Sequence, residues 1–168
     1  INELIKHNVS TSEVDNRKRN AFMIMLSRIY ANDKIKIDKI AKVYEKLCPS
    51  NISIQVDDKL MKIDAHKIEF LLCSLLFLWL QGFDTSDKNR LYAFSCDAIL
   101  DRFKRLAGSH IMPNFRIRRA YVSSILARNE INSNYPNNRK LFKRIKLGRY
   151  VLNPELKLKI NDNWYTIA

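Results

Sequence analysis

Few residues of this chain have both the type and the spacing that catalytic chemistry needs. His7, His66 and His110 are scattered, with no HExxH and no His-Cys pair at ligand distance, so no metal centre is assigned. Cys48, Cys73 and Cys96 are odd in number and lie 25 and 23 residues apart, which fits neither a disulfide framework nor a CxxC knuckle. Each sits in an apolar stretch and is read as a buried, reduced thiol of an intracellular protein. With three glycines in 168 residues there is no GxGxxG, GxxxxGK[ST] or GxSxG loop, so no nucleotide or other cofactor and no catalytic residue is assigned. Asp57-Asp58-Lys59 sets a carboxylate two residues before a lysine, like the D-x-K portion of metal-dependent nucleases. A tight turn explains that aspartate pair more simply.

The residues that do accumulate are cations. Thirty Lys and Arg against seventeen Asp and Glu give a net charge of +13, and the excess is uneven. Up to Asp84 there are 13 basic and 11 acidic residues, and after it 17 and 6, a net of +2 against +11. Between Arg102 and Arg149 thirteen bases, among them Arg116, Arg118, Arg119 and Arg149, face the single acid Glu130. Such a field attracts a phosphate backbone. If 139–147 is helical, Arg139, Lys143 and Lys146 share a face, Lys140 and Arg144 form the next ridge, and Leu141 and Ile145 point inward.

These cations need elements to position them. An apolar fraction of 46% with so little glycine predicts a mainly α fold, a helical bundle with two short β-hairpins. A first helix, capped by Thr11 or Ser12, carries Val14, Phe22, Met25 and Ile29 and stops at Asn32-Asp33; a second follows Asp38 and ends before Pro49. ISIQVDDKLMKI, Ile52 to Ile63, reads as a hairpin. Ala65 to Gln81 is apolar around most of its circumference and reads as a central post, too short and too interrupted by Glu69 and Ser74 to span a membrane. Thr85 or Ser86 caps a further helix with the seam Tyr92, Cys96, Ile99, Phe103 and Leu106, which Gly108 ends. Arg116 to Glu130 and Arg139 to Leu147 are the last two helices, the latter capped by Asn137 or Asn138 and closed by Gly148. The division is 1–84, charge-balanced, and 85–168, basic, within what could be one continuous domain. The chain opens INELIKHNVS, with neither an initiator methionine nor a leader pattern, so Ile1 is read as the start of an ordered region.

LKLKINDNWYTI, Leu156 to Ile167, forms the second hairpin and aligns without gaps on Ile52 to Ile63, 104 residues earlier. Shared strand alternation and a duplicated module both account for that match.

A helix, a polar loop, a short basic helix and a hairpin together resemble the second half of a winged helix-turn-helix domain. In that likeness Arg116 to Glu130 is the supporting helix, Arg139 to Leu147 the recognition helix and Tyr150 to Ile160 the wing. LGRYVLNPELKL, Leu147 to Leu158, is similar to the aromatic-x-x-Asn-Pro segment at the wing of some plasmid replication initiators and mobile-element regulators. The resemblance implies a non-enzymatic duplex-DNA-binding protein, with DNA favoured over RNA. Asn138, Arg139 and Lys143 would meet base edges, Lys140, Arg144 and Lys146 would meet phosphates, and Lys157 and Lys159 on the wing would reach the neighbouring backbone. The alternative is a protein-interaction or RNA-binding module whose basic half docks an acidic partner, or a homodimer formed through the hairpin edges around Trp164, Tyr165 and Ile167.

Overall fold

The computed structural model describes residues 13–32, 37–82, 93–106, 111–160 and 162–167. Asp15 shapes the first turn: its Oδ1 accepts the Arg17 and Arg19 N–H groups, and its Oδ2 takes the Arg19 guanidinium at 2.6 Å. Burial opposes its charge, but these donors win and hold the carboxyl below the usual range. Helix α1, Ala21–Ala31, therefore starts later than its apolar pattern predicts, with the Asn20 side chain accepting from the Met23 N–H at 3.0 Å. The expected caps Thr11 and Ser12 lie outside the described residues. Helix α2, Ile37–Leu47, follows, and the chain then enters β1, Asn51–Val56, and β2, Lys59–Asp64. Asp57 and Asp58 turn between them with φ of 47° and 55°. The left-handed backbone that aspartate tolerates is thus what this pair supplies.

The central post is helix α3, Ile68–Gly82, which touches α1, β2 and β5. Nine consecutive residues, Phe70 to Leu78, and Ile68 before the half-buried Glu69, show almost no surface. No helix among the described residues is long and apolar enough to cross a membrane. Strand β3, Phe94–Ser95, leads into α4, Cys96–Phe103, which is capped by the Ser95 hydroxyl accepting from the Ala98 N–H at 3.1 Å. The caps foreseen at Thr85 and Ser86, the seam residue Tyr92 and the stop at Gly108 lie outside the described residues. Short 3-10 turns, Lys104–Leu106 and Asn114–Ile117, precede α5, Arg119–Arg128. Four strands complete the chain: β4, Phe142–Lys146; β5, Arg149–Leu152; β6, Lys157–Ile160; and β7, Asn163–Thr166.

Two antiparallel sheets result, one of four strands in the order β2-β1-β6-β7 and one of three in the order β3-β5-β4. The fold is therefore mixed α/β, not mainly α, and the reading as a helical bundle is corrected. The similarity at an offset of 104 residues also takes structural form. Gln55 lies opposite Leu60 as Lys159 lies opposite Trp164, and Ile54 opposite Met61 as Leu158 opposite Tyr165. The two hairpins meet through Ile54 and Leu158, which are equivalent positions, so a local twofold axis runs through that pair. The likeness stops at the hairpins, since α2 precedes the first and β5 the second.

The largest single correction concerns 139–147. Instead of a helix, the chain is irregular to Leu141 and then forms β4, which turns at Leu147-Gly148 into β5. Gly148 has φ of +67°, a conformation that ends helices and also closes hairpins, so its presence cannot tell one from the other. Burial of Phe142, Tyr150 and Leu152, with β5 held between β3 and β4, favours the sheet. Asn153, the asparagine of the Asn-Pro step, is 3% exposed and staples the base of this hairpin. Its Nδ2 donates to the Lys140 carbonyl at 2.8 Å, its Oδ1 accepts from the Glu155 N–H at 3.0 Å, and its own N–H donates to the Leu141 carbonyl at 2.8 Å. Asn153→Ala leaves buried partners unpaired and is expected to cost about 1 to 3 kcal/mol in urea unfolding. One apolar cluster joins α1, α3, α4, α5 and both sheets, so the two charge halves share a core.

Candidate nucleic-acid interface

Helix α5 buries Val122 and Leu126 and packs against α4. Its opposite side presents Ala120, Ser124 and Arg128 at i, i+4 and i+8. The helix begins at Arg118 with no side-chain cap, and Arg116, Arg118 and Arg119 crowd its positive end. Cations there oppose the helix dipole. Asp97 of α4 offsets one of them, accepting from Arg119 Nε at 3.0 Å, while Arg118 is exposed and has no ion pair among the described residues. Two arginine-aromatic pairs frame the helix. At its start Arg116 lies 5.6 Å from the ring centre of the exposed Phe115, which itself meets Tyr121 edge-on at 5.8 Å; at its end Arg128 lies 5.3 Å from that of the exposed Tyr135.

The β4–β5 hairpin is fixed to the end of α5. The Ile131 N–H donates to the Phe142 carbonyl at 2.8 Å and the Phe142 N–H to the Asn129 carbonyl at 3.0 Å. Buried Asn129 also donates through Nδ2 to the Ile125 carbonyl. Beyond this anchor Lys143, Arg144, Ile145, Lys146, Leu147 and Arg149 are all exposed. Arg144 pairs with Glu130 at 2.8 Å over the Tyr150 ring, and Arg149 donates to the Ala93 carbonyl at 3.2 Å. Lys143 and Lys146 have no ion pair among the described residues.

The remaining residues expected from the sequence fall into other roles. Asn138 is a loop brace: its Nδ2 donates to the Glu130 and Ser133 carbonyls at 2.7 and 2.9 Å and its Oδ1 accepts from the Lys140 N–H, so its amide is not presented to a base. Arg139 is half-buried and paired with Glu69 of the post at 3.8 Å. Lys140 pairs with Asp57, linking the first hairpin's turn to the base of β4, and that hydrogen bond and charge raise its ammonium pKa. Arg116 donates to the His66 carbonyl at 2.7 Å. Lys157 and Lys159 lie on β6, in the other sheet, where Lys159 pairs with Asp162 at 2.8 Å and holds that carboxyl below the usual range. Of the twelve candidates, then, Arg118, Arg119, Lys143, Arg144, Lys146 and Arg149 belong to α5 and the adjoining hairpin as exposed cations.

Ala120, Ser124, Arg128, Phe115 and Tyr135 lie on or beside α5 and were not among the sequence candidates, because Arg116 to Glu130 reads there as the supporting helix. The available signal was small side chains between arginines, the composition of a helix that can approach another surface closely.

Burial pushes the Cys73 and Cys96 thiols up, so neither is poised as a nucleophile. Asp57 and Asp58 sit on a turn, and among the described residues no group of His, Cys, Asp and Glu could hold a metal ion. No family model, curated protein or solved structure matches the chain.

Proposed function

We propose that the chain binds duplex DNA, with α5 in the major groove and the β4–β5 hairpin beside it. The observation that carries this reading is an uncapped, arginine-headed helix whose end is tied by backbone hydrogen bonds to a hairpin whose exposed charges are all cations. Helix, helix, hairpin is also the winged helix-turn-helix succession, displaced by one element from its place in the sequence reading. Here α4 is the supporting helix, α5 the recognition helix and β4–β5 the wing, while β3 completes the wing's sheet.

Each part then has a physical task. Phosphate oxygens at the start of α5 relieve the crowding of Arg116, Arg118 and Arg119 at a positive helix end. Ala120 and Ser124 allow the helix close to the base edges, where the Ser124 hydroxyl can donate or accept and Arg128 can fork to a guanine. Lys143, Lys146 and Arg149 follow the backbone. Charged side chains on an edge strand such as β4 also discourage strand pairing between molecules, but either sign serves that purpose. The restriction to cations is what the DNA reading adds. An intracellular setting accords with three cysteines that are all free.

The test is binding of labelled duplex DNA, single-stranded DNA and RNA of one length at several salt concentrations. The duplex is expected to bind best, with log affinity falling linearly against log salt at a slope of about −3.6 to −4.5, as four or five phosphate contacts require. Equal or tighter binding of single strands or RNA would overturn the reading, as would a flat salt dependence.

A further inference from the structure

The tip of the β4–β5 hairpin differs from the tips of the other two described hairpins. Among the described residues, the β1–β2 turn is built from Asp57-Asp58 and the β6–β7 turn includes Asp162 with φ of 63°, polar residues that accept left-handed backbone. The β4–β5 turn needs one left-handed residue and has it in Gly148, yet the residue before it is Leu147, which is 92% exposed. No packing accounts for it, since Leu147 belongs neither to the core nor to the partly buried residues around it. Just before it, Arg144 lies opposite Tyr150 and Lys146 opposite Arg149, so Ile145 is bulged out of the ladder and is itself exposed. Two aliphatic side chains therefore project from the end of a ribbon whose other exposed side chains are Lys143, Arg144, Lys146 and Arg149.

Resting on the duplex-DNA reading, we infer that Leu147 is an apolar wedge that enters the minor groove and opens a base step, bending the DNA. A two-stranded ribbon is too wide for a minor groove of about 6 Å, so only its tip can enter. The cations behind the tip bind the phosphates on the groove walls and hold it there against the unfavourable unstacking. Wedging an aliphatic side chain between bases costs a few kcal/mol per step, least at flexible pyrimidine-purine steps such as TA, and is recovered through the added contacts of the bent duplex. Leu147 would thus select for deformable sequence at a position where no hydrogen bond to a base is made.

The test uses the full chain and a duplex of about 30 base pairs recovered from a random pool, carrying a dye at each end and, in a second preparation, 2-aminopurine at each TA step in turn. The unaltered protein is expected to shorten the dye separation and to brighten 2-aminopurine at one step as it unstacks. Leu147→Ala should restore the dye separation of free duplex, remove the brightening and weaken binding about 5- to 20-fold, with the salt slope unchanged. Leu147→Met should keep the bend. A tip residue without core contacts should leave the unfolding transition of both variants where it was. Binding by the unaltered protein without bending or brightening would overturn the wedge and leave the DNA reading standing, as would a bend that Leu147→Ala retains. Absence of duplex binding altogether would remove the DNA reading and the wedge with it. Vesicles of mixed phosphatidylserine and phosphatidylcholine form the last arm: binding there that depends on Leu147, with no duplex bending, would assign the tip to a lipid surface and overturn the proposal.

Discussion

Reversing Arg118, Lys143 and Lys146 to glutamate together is expected to lower duplex affinity by about 100- to 1000-fold at 0.1 M salt, with no change in the thermal unfolding midpoint beyond a few degrees. These three cations are exposed, carry no ion pair among the described residues and lie on α5 and the adjoining hairpin, so reversal removes three phosphate contacts and adds repulsion. Reversing Lys42, Lys46 and Lys62, outside that surface, changes the net charge equally and should cost less than tenfold. Gel shift or fluorescence anisotropy measures the first quantity and scanning fluorimetry the second. Equal losses from the two triplets would mean that overall charge alone governs binding. Arg139 and Arg144 make poorer tests, because Glu69 and Glu130 would lose their partners and the variant would be destabilised for reasons unrelated to DNA.

The second large effect lies in the post. Leu75 is fully buried on α3, and Leu75→Ala should destabilise the protein by about 2 to 5 kcal/mol in urea unfolding, through lost apolar burial and the cavity left behind. A loss below about 1 kcal/mol would mean that the post is misplaced. The consequence extends beyond stability. Trp79, one turn further along α3, stacks on Phe94 of β3 with ring centres 4.3 Å apart, and β3 pairs with β5 of the candidate wing. Trp79→Ala is accordingly expected to weaken DNA binding as well as the fold, whereas Leu75→Ala at temperatures where it remains folded should bind normally.

Much of the framework was readable because it depends on local chemistry. The 3.6-residue spacing of apolar positions located α2, the post and the part of α1 from Phe22 onward, and alternation around Asp57-Asp58 and Asn161-Asp162 located both hairpins of the four-stranded sheet. In each case the pattern had only one way to bury its apolar side. The cation excess after Asp84 was equally plain, since charge is counted whatever the fold.

The sequence by itself therefore determined the core helix, the two similar hairpins and the half of the chain on which positive charge accumulates. What only the tertiary structure decided was the state of 139–147 and, through it, which helix presents the cations. FKRIK satisfies a helix with a basic face and a strand with one buried end, and Gly148 closes either. Long-range pairing broke the tie: Phe142 lies opposite Leu152, Arg144 opposite Tyr150, and Tyr150 opposite Phe94, a residue 48 positions before β4 that no local window includes. The same pairing reassigned the asparagines. Asn129, Asn138 and Asn153 have the composition of a polar loop, yet their amides are used to hold backbone carbonyls and N–H groups together, because irregular backbone beside a core must have its polar groups satisfied.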